Sequence, residues 1–424
     1  MLSPGATKKP KDHAYEPRRT WGQMAVDSQQ RIDLQALRRD RLRRLQSQMK
    51  EKDIPALLLI DGDNIRYATG LYDYGWRTYL RYCLVPASQE PIMFDTVGVD
   101  LECTFADAPW MRDRLEPAIV WKVSGAAEEA AGARFAESIK SALRKYNVDA
   151  SQIGCDMPDS TVLKSLSGIG VSVVDAWGAI SDARKIKTPQ ELELLKLACA
   201  FVDNAFWLAK KKFVRPGMKE SQVKGKISNF LIGECCCELY VGNVSSGGNT
   251  NPYYRGEHTD RMIRQGDMVI LDIVAKYQGY WADFVRCWLV DARPTMKQRE
   301  VYRKAYDSLQ DVIREARPGS TTRSMAEGFL TDESAGVVEE TARSTGVLNA
   351  GHGVGLTSHE APWITRTYSI DYPEEIRPNM YFAAETYARN PEGIEAARLE
   401  ENFVVTENGP AVFSLAPFED DFLE

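Results

Sequence analysis

Long apolar runs are missing from this sequence, since no stretch reaches the ~18 to 20 residues that a helix needs to span a bilayer. Residues 1–19 are rich in proline and lysine and also lack the apolar core of a secretory signal peptide. These absences speak against a membrane protein and against a secreted one. We therefore expect a cytoplasmic protein.

A cysteine framework and an excess of positive charge are missing as well. The eight cysteines show no C-x2-C pairs of the kind that bind zinc, and the run at 235–237 is predicted to be small buried apolar residues. The formal net charge is −7, which gives no electrostatic reason to expect nucleic acid or an anionic membrane as a partner. The expected partner is a small molecule.

The chain is long enough for two domains, because it has 424 residues of which 44% are hydrophobic. After an N-terminal extension at 1–30, strands alternate with helices over 31–187, which predicts an α/β domain. A helix start is then predicted at 188–191. Thr188 is the capping threonine, Pro189 occupies the first helical position, and Glu191 completes a capping box. A second domain is predicted to cover 188–424.

A short repeat lies within this second domain. The tripeptide Arg-Pro-Gly occurs at 215–217 and again at 317–319, each time between two predicted helices. Such a repeat suggests a duplicated domain in which both halves face one central cleft.

Five residues carry the most specific chemical signal: Asp272, Asp283, His352, Glu385 and Glu400. Asp272 ends an apolar strand, Asp283 follows a turn, His352 lies in a glycine-rich loop, and the two glutamates flank another turn. Four carboxylates in one pocket would repel each other, and their burial would cost several kcal/mol per ion unless cations lay between them. Oxygen-rich ligation with a single histidine suits two divalent metal ions, with Fe, Mn, Co and Zn as candidates.

Several segments around these residues match a known pattern: GDMVILD at 266–272, GYWAD at 279–283, GHGVG at 351–355, Glu385, LEE at 399–401, and, nearer the N-terminus, NIRY at 64–67 and RKIK at 184–187. In these segments the chain resembles the superfamily that contains methionine aminopeptidase, aminopeptidase P, prolidase and creatinase. The resemblance implies a creatinase-like α/β N-terminal domain at 31–187 and an α+β pita-bread catalytic domain at 188–424. It also implies that the five residues hold two metal ions, and since creatinase lacks such a site, the chain is not expected to be a creatinase.

One position departs from the peptidases of this superfamily. They carry another histidine a few residues after the segment that here is 246–249, and this chain has Thr-Asn-Pro-Tyr-Tyr at 250–254 instead. His258, the nearest imidazole, is predicted to lie in a surface loop. Tyrosine has an ordinary pKa of about 10 against about 6.5 for histidine, so it cannot exchange a proton in the same way near neutral pH. This departure speaks against ordinary peptide hydrolysis.

Another branch of the superfamily, the bacterial dimethylsulfoniopropionate lyases, is similar to this chain at that position. It shares the Asn-Pro-aromatic-aromatic pattern, an extended N-terminal segment with a tryptophan, here Trp21, and the segment at 64–69. Tyr253, Tyr254, Trp281 and Trp363 could accept the sulfonium group by cation–π contact, although Trp281 is equally well explained as core packing.

The match to the lyases is incomplete. They have an acidic residue where this chain has Val274, and His359 and Glu360 resemble the peptidases instead. His359 could still act as the base, because histidine titrates near working pH.

Our leading expectation is a dinuclear metal enzyme that acts on a small carboxylate, with β-elimination of dimethylsulfoniopropionate to dimethyl sulfide and acrylate as the best guess. His359 would move the proton, Tyr253 or Tyr254 would position the substrate, and Trp363 and Trp21 would contact it. The alternative is an Xaa-Pro dipeptidase or an aminopeptidase P-like metallohydrolase. A binding module that has lost catalysis is a third possibility, against which the five intact ligands argue. A homodimer is expected, because dimers are common among similar proteins.

Overall fold

The computed structural model describes residues 32–72, 80–253, 259–330 and 349–424. The N-terminal part is built from alternating strands and helices. In chain order these are α1 (Leu34–Glu51), β1 (Ala56–Leu59), α2 (Gly62–Thr69), β2 (Tyr82–Pro86), β3 (Ile92–Asp95), α3 (Val99–Asp107), β4 (Leu115–Pro117), α4 (Glu128–Lys145), β5 (Gln152–Cys155), α5 (Ser160–Gly168), β6 (Ser172–Asp175) and α6 (Trp177–Lys185).

The six strands form one mixed sheet in the order β4-β3-β2-β1-β5-β6. Strand β2 is antiparallel to both β1 and β3, and the other neighbours are parallel. In the central strand β1, Leu57 and Leu59 pack into one apolar cluster, while Ala56 and Leu58 pack into another on the opposite face. Side chains alternate across a strand, so a run of four apolar residues indicates burial on both faces. The predicted α/β N-terminal domain is confirmed.

The C-terminal part consists of antiparallel strands with helices packed against them. In chain order its elements are α7 (Pro189–Leu208), α8 (Glu220–Ser228), β7 (Glu238–Ser246), β8 (Met268–Tyr277), β9 (Tyr280–Leu289), α9 (Met296–Glu315), α10 (Thr322–Glu327), β10 (Asn349–Gly353), β11 (Glu360–Thr365), β12 (Tyr381–Arg389), β13 (Ala396–Thr406), β14 (Gly409–Val412) and α11 (Asp420–Leu423).

These strands form a three-stranded sheet, β7-β8-β9, and a five-stranded sheet, β11-β10-β12-β13-β14. The two sheets meet where β9 lies against β13. Helix α7 packs on β8 and β9, and helix α9 packs on β12 and β13. The helices thus cover the outside of the sheets and leave the inner face free for the site.

The start of α7 has the structure that its sequence predicts. The Thr188 side chain accepts a hydrogen bond from the Glu191 amide, and the Glu191 carboxylate accepts one from the Thr188 amide. Glu191 also accepts a hydrogen bond of 2.9 Å from the Tyr280 hydroxyl of the β8–β9 hairpin. The capping box therefore fixes both the start of α7 and its contact with the β8–β9 hairpin.

The two Arg-Pro-Gly segments have matching local structures. Gly217 and Gly319 both have a left-handed backbone, with φ of 85° and 81°. Their amides donate to the carbonyls of Ile263 and Ile376, and a helix begins shortly after each glycine. Glycine is required at such positions because a side chain would strain the backbone. The match is consistent with the suggested duplication.

The cysteine run behaves only partly as predicted. Cys235 and Cys237 are buried, whereas Cys236 is exposed and has a left-handed backbone with φ of 55°. The prediction of three buried residues is therefore wrong for Cys236, because the chain turns at that position. Separately, none of the helices in the described ranges combines the length and the apolar character needed to cross a membrane.

Candidate metal centre

The hairpin of β8 and β9 places the first two carboxylates on one face. In the register of these strands Asp272 lies opposite Val285, and Asp283 lies opposite Val274. Residues 272 and 274 share a face because strand side chains alternate, so Asp272 and Asp283 are diagonal neighbours on the same face. Both side chains are buried.

The five-stranded sheet supplies the other three side chains. Glu385 of β12 lies directly opposite Glu400 of β13. His352 of β10 pairs with Ala383 of β12, so it lies two residues along that strand from Glu385. All three are buried, and His352 is only 2% exposed.

Both sheets contribute to one pocket. The Nε2 atom of His352 lies 3.7 Å from Asp283 Oδ2 and 3.7 Å from Glu385 Oε1. One oxygen each from Asp272, Asp283 and Glu400 lies within 4.8 Å of the others. The structure thus brings all five predicted residues together from distant parts of the chain.

The pocket has more negative than positive charge. The guanidinium of Arg398 contacts both Glu385 and Glu400 and provides one positive charge against four carboxylates. Burial, with the charges of Glu385 and Asp272 added, raises the pKa of Glu400 well above its usual value in spite of Arg398. Such a buried set of oxygen donors fits divalent cations, which would remove the repulsion.

His352 is held in a form suited to metal binding. Burial lowers its pKa, and its Nδ1 lies 3.0 Å from the carbonyl oxygen of Gly353. A neutral imidazole that donates from Nδ1 to a carbonyl keeps its Nε2 lone pair directed away, here toward Asp283 and Glu385.

His359 and Trp363 form one wall of the pocket. The rings of His352 and His359 are stacked with centroids 4.0 Å apart, and the Trp363 ring lies 5.3 Å from that of His359. A ring nitrogen of His359 lies within 4.8 Å of donor atoms of Asp283 and His352. His359 is exposed and Trp363 is 44% exposed, so this wall faces the open side of the pocket.

Tyr253 lies at the edge of the same pocket. Its hydroxyl donates a hydrogen bond of 3.1 Å to Asp272 Oδ2, and the Arg398 guanidinium lies 5.5 Å from its ring centroid. Tyr254, Trp21 and His258 lie outside the described residues. Trp281 is explained by packing, since its indole donates a hydrogen bond of 2.9 Å to the Leu356 carbonyl.

Two residues on β13 belong to the site although sequence reasoning missed them. Arg398 contacts the glutamates, and the side chain of Asn402 binds the backbone of Asp283, accepting from its amide at 2.9 Å and donating to its carbonyl at 2.8 Å. Residues 398, 400 and 402 share one face of a strand. Both residues lie two positions from Glu400, and this strand spacing is the sequence signal that could have predicted them.

A buried polar network next to His359 was also missed. Arg184 donates to Glu360, with Nη2 and Oε1 2.5 Å apart, and to Asn64 Oδ1 at 2.7 Å. Lys187 donates to the other oxygen of Glu360 at 2.8 Å. Arg184 also donates to the hydroxyl of Thr357 at 2.9 Å. The network therefore connects the N-terminal domain with the turn that carries His359.

Comparison with protein-family models gives the family. Residues 193–407, about half of the chain, match the model of metallopeptidase family M24, and residues 41–186 match the creatinase/prolidase N-terminal domain. The chain belongs to metallopeptidase family M24. Its C-terminal domain is the pita-bread catalytic domain that the sequence resemblance implied, and the expected superfamily is confirmed.

Curated relatives of this M24 protein include several dipeptidases. The Xaa-Pro dipeptidase of Pyrococcus furiosus is 28% identical over 232 residues, which is 54% of this chain and 63% of the relative. The probable dipeptidase PepE of Mycobacterium tuberculosis is 28% identical over 274 residues, 64% of this chain and 69% of the relative. The chain thus spans less than two thirds of the length of the first curated relatives that it matches.

Solved structures support the same two-domain fold. The Xaa-Pro dipeptidase from Bacillus anthracis superposes with a TM-score of 0.69 at 22% identity, covering 90% of this chain and 99% of that one. The prolidase from Pyrococcus horikoshii has a TM-score of 0.67 at 21% identity, with coverage of 90% and 99%.

The expected dimethylsulfoniopropionate lyase is wrong. The curated relatives include dipeptidases, and the family is one of metallopeptidases, which favours the hydrolase alternative over a carbon–sulfur lyase. The Asn-Pro-aromatic pattern that suggested a lyase has a structural explanation. The side-chain amide of Asn251 donates to the carbonyls of Asn390 and Gly393, both at 2.7 Å, and so anchors the turn between β12 and β13.

Proposed function

We propose that this M24 protein is a metal-dependent hydrolase of small Xaa-Pro amides, with Xaa-Pro dipeptides as the first substrates. The observation that carries the proposal is the convergence of Asp272, Asp283, His352, Glu385 and Glu400 in one buried pocket beside an exposed imidazole. The dipeptidase names of the relatives supply the substrate class.

These five residues would hold two divalent cations, of Fe, Mn, Co or Zn. When bound, the cations would supply Lewis acidity for polarising the amide carbonyl. Arg398 contacts Glu385 and Glu400, so it orients both carboxylates on the side that faces Tyr253. Asn402 holds the backbone of Asp283 and thereby its carboxylate.

His359 is the group that would move a proton. It lies on the open side of the pocket, stacked on His352, and imidazole is the side chain that exchanges protons near neutral pH. Its Nδ1 lies 3.0 Å from the hydroxyl of Ser358, which helps to fix the ring. His359 would carry this role without the additional peptidase histidine that is absent from 250–254.

Trp363 and Tyr253 would position the substrate. The indole of Trp363 continues the stack of His352 and His359 and offers a half-exposed flat apolar face, against which a pyrrolidine ring can pack. Tyr253 presents its ring and hydroxyl at the opposite edge of the pocket, where it contacts Asp272.

Release of proline from Xaa-Pro dipeptides tests the function. The protein is loaded separately with Mn, Fe, Co and Zn and assayed on an Xaa-Pro dipeptide and on an Xaa-Pro-Xaa tripeptide. We expect proline release from the dipeptide, while preference for the tripeptide would favour an aminopeptidase P-like enzyme. Asp283→Ala is expected to lose both metal and activity, and Asp149→Ala, at an exposed position, is the matched control. No cleavage of either peptide with any of the four metals would overturn the proposal.

A further inference from the structure

A second cavity lies between the two domains, away from the candidate metal centre. Its volume is about 190 Å³, and it is lined by α1 and α2 of the N-terminal domain, by α7, and by the turn between β8 and β9. Three arginines, Arg38, Arg41 and Arg66, contribute to its wall.

These arginines have few direct carboxylate partners. Arg38 pairs with Glu90 at 2.8 Å, and the Glu90 side chain is 48% exposed. Arg41 donates to the Tyr280 hydroxyl at 3.1 Å, and Tyr280 in turn donates to Glu191, so this carboxylate reaches Arg41 only through the phenol. Glu90 is therefore the one carboxylate in direct contact with the group, within the part of the chain that the structure describes.

The third arginine adds positive charge that no carboxylate of the described residues contacts directly. Arg66 donates to the backbone carbonyl of Gln278 at 2.6 Å, and its own carbonyl accepts from Arg41 at 2.9 Å. Burial and the repulsion of Arg41 lower the pKa of Arg66 from 12.5 to about 10. The surroundings of Arg66 therefore disfavour its protonated form. An anion bound nearby would offset this unfavourable electrostatic energy.

Two buried nitrogens of this arginine group have no hydrogen-bond partner among the residues that the structure describes. The Nε atoms of Arg38 and Arg41 have no hydrogen-bond partner, although the residues are only 7% and 2% exposed. Buried cationic N–H groups without an acceptor are costly, so Arg38 and Arg41 have unused donor capacity beside the cavity that their side chains line.

The rest of the wall is largely apolar. Leu37, Leu71 and Leu194 line it together with Trp110, over whose ring the Arg38 guanidinium lies at 5.0 Å. Such a lining suits an organic body rather than a fully hydrated inorganic ion.

We propose that this cavity between the domains binds a small organic anion. Its carboxylate accepts hydrogen bonds from Arg38 and Arg41, and its apolar body packs against Leu37, Leu71 and Leu194. A protein cavity of about 150 Å³ accommodates benzene, so the volume here is sufficient for a small aromatic or aliphatic acid. Because the β8–β9 turn lines the cavity and the same hairpin carries Asp272 and Asp283, the ligand would stabilise the part of the catalytic domain that supplies two of the carboxylates.

Calorimetric titration of the full chain with benzoate tests the proposal. Benzyl alcohol serves as the uncharged match, and inorganic phosphate as an anion without an apolar body. Benzoate is expected to bind at least tenfold more tightly than either. Benzoate binding is also expected to persist in Asp283→Ala, which separates this cavity from the candidate metal centre.

Two variants locate the binding. Arg38→Gln is expected to weaken benzoate binding at least tenfold, whereas Arg39→Gln, on the exposed face of the same helix, leaves it unchanged. Leu34→Trp, at the half-exposed rim of the cavity, is expected to block binding while keeping every arginine. Failure of wild type to bind benzoate, equal binding by Arg38→Gln, or unaltered binding by Leu34→Trp would each overturn the proposal.

Discussion

At the scale of single residues, the positions of the carboxylates in the candidate metal centre depend on contacts with neighbouring side chains. The Tyr253 hydroxyl binds Asp272, the Asn402 side chain binds the backbone of Asp283, and Arg398 contacts Glu385. Groups that hold a metal ligand in place affect metal affinity and activity even though they do not bind the metal.

Tyr253→Phe tests this dependence. The variant keeps the ring but loses the hydrogen bond of 3.1 Å to Asp272, so metal affinity or turnover is expected to fall about tenfold. Metal affinity is measured by competition with a chelator, and turnover by proline release. Tyr368→Phe, at an exposed tyrosine, is the control. A variant with both quantities at the wild-type level would show that the hydroxyl does not position Asp272.

The pH dependence of stability is argued from Glu360. Burial alone would raise the pKa of this glutamate, but Arg184 and Lys187 outweigh it and lower the pKa from 4.5 to about 2. A lowered pKa means that the ionised form stabilises the fold above pH 4.5 and that this contribution is lost as the pH falls toward 2. The shift corresponds to about 3 kcal/mol.

Glu360→Gln isolates that contribution. The difference in free energy of unfolding between wild type and variant is expected to be about 3 kcal/mol at pH 6 and to shrink progressively below pH 4.5. Urea unfolding at pH 6, 4 and 3 measures it. A difference that does not change with pH would mean that the ion pairs of Glu360 with Arg184 and Lys187 are not its source.

At the scale of helices and strands, the capping pattern predicted where a helix begins better than an apolar stretch predicts where a strand lies. The capping box at Thr188 is present as expected. By contrast, the apolar stretch at 118–122 does not form a strand, and the strand observed nearby is β4, at Leu115–Pro117. The apolar character of 118–122 has another cause, because Trp121 is fully buried and its indole donates to Asp159.

Two capping boxes allow a matched comparison of helix starts. Thr295 caps α9 at an exposed position, and Thr188 caps α7 in the interior, where Glu191 also binds Tyr280. Thr295→Ala is expected to lower the free energy of unfolding by about 1 kcal/mol, as is usual for a helix cap. Thr188→Ala is expected to cost about 2 kcal/mol, because it also disturbs a buried glutamate. Urea unfolding measures both, and equal costs would contradict the role given to burial.

At the scale of the whole molecule, the two domains are joined by the polar network around Arg184. Asn64 of the N-terminal domain accepts from Arg184 and donates to Asp156 at 3.0 Å, while Arg184 holds Glu360 beside His359. The N-terminal domain thereby supports the turn at 357–360. Loss of this support should reach the active site although Asn64 does not contact it.

Asn64→Leu removes, at nearly constant volume, the hydrogen bond by which the rest of the N-terminal domain holds Arg184. It leaves Nη1 of Arg184 without its acceptor, whereas Asp156 keeps the amides of Ile60 and Asp61, so stability is expected to fall by about 1 to 3 kcal/mol. Turnover is expected to fall as well, because the turn that carries His359 is less well held. Asn204→Leu, at an exposed helix position, is the control. A variant that is destabilised but retains full kcat/KM would restrict the network to a structural role.

The expected homodimer stays a prediction at this scale, and analytical ultracentrifugation tests it.

The sequence by itself determined the family, the two kinds of domain and the five candidate metal ligands, because those residues lie in or beside short local patterns such as Gly-His-Gly-Val-Gly. It misled on substrate, since the Asn-Pro-aromatic segment resembles a lyase yet serves to anchor a turn. Only the tertiary structure brought Arg398 and Asn402 to the carboxylates, joined Asn64 to Glu360 through Arg184, and enclosed a cavity with Arg38 and Arg41. These arrangements depend on contacts between residues far apart in the chain, which local patterns do not contain.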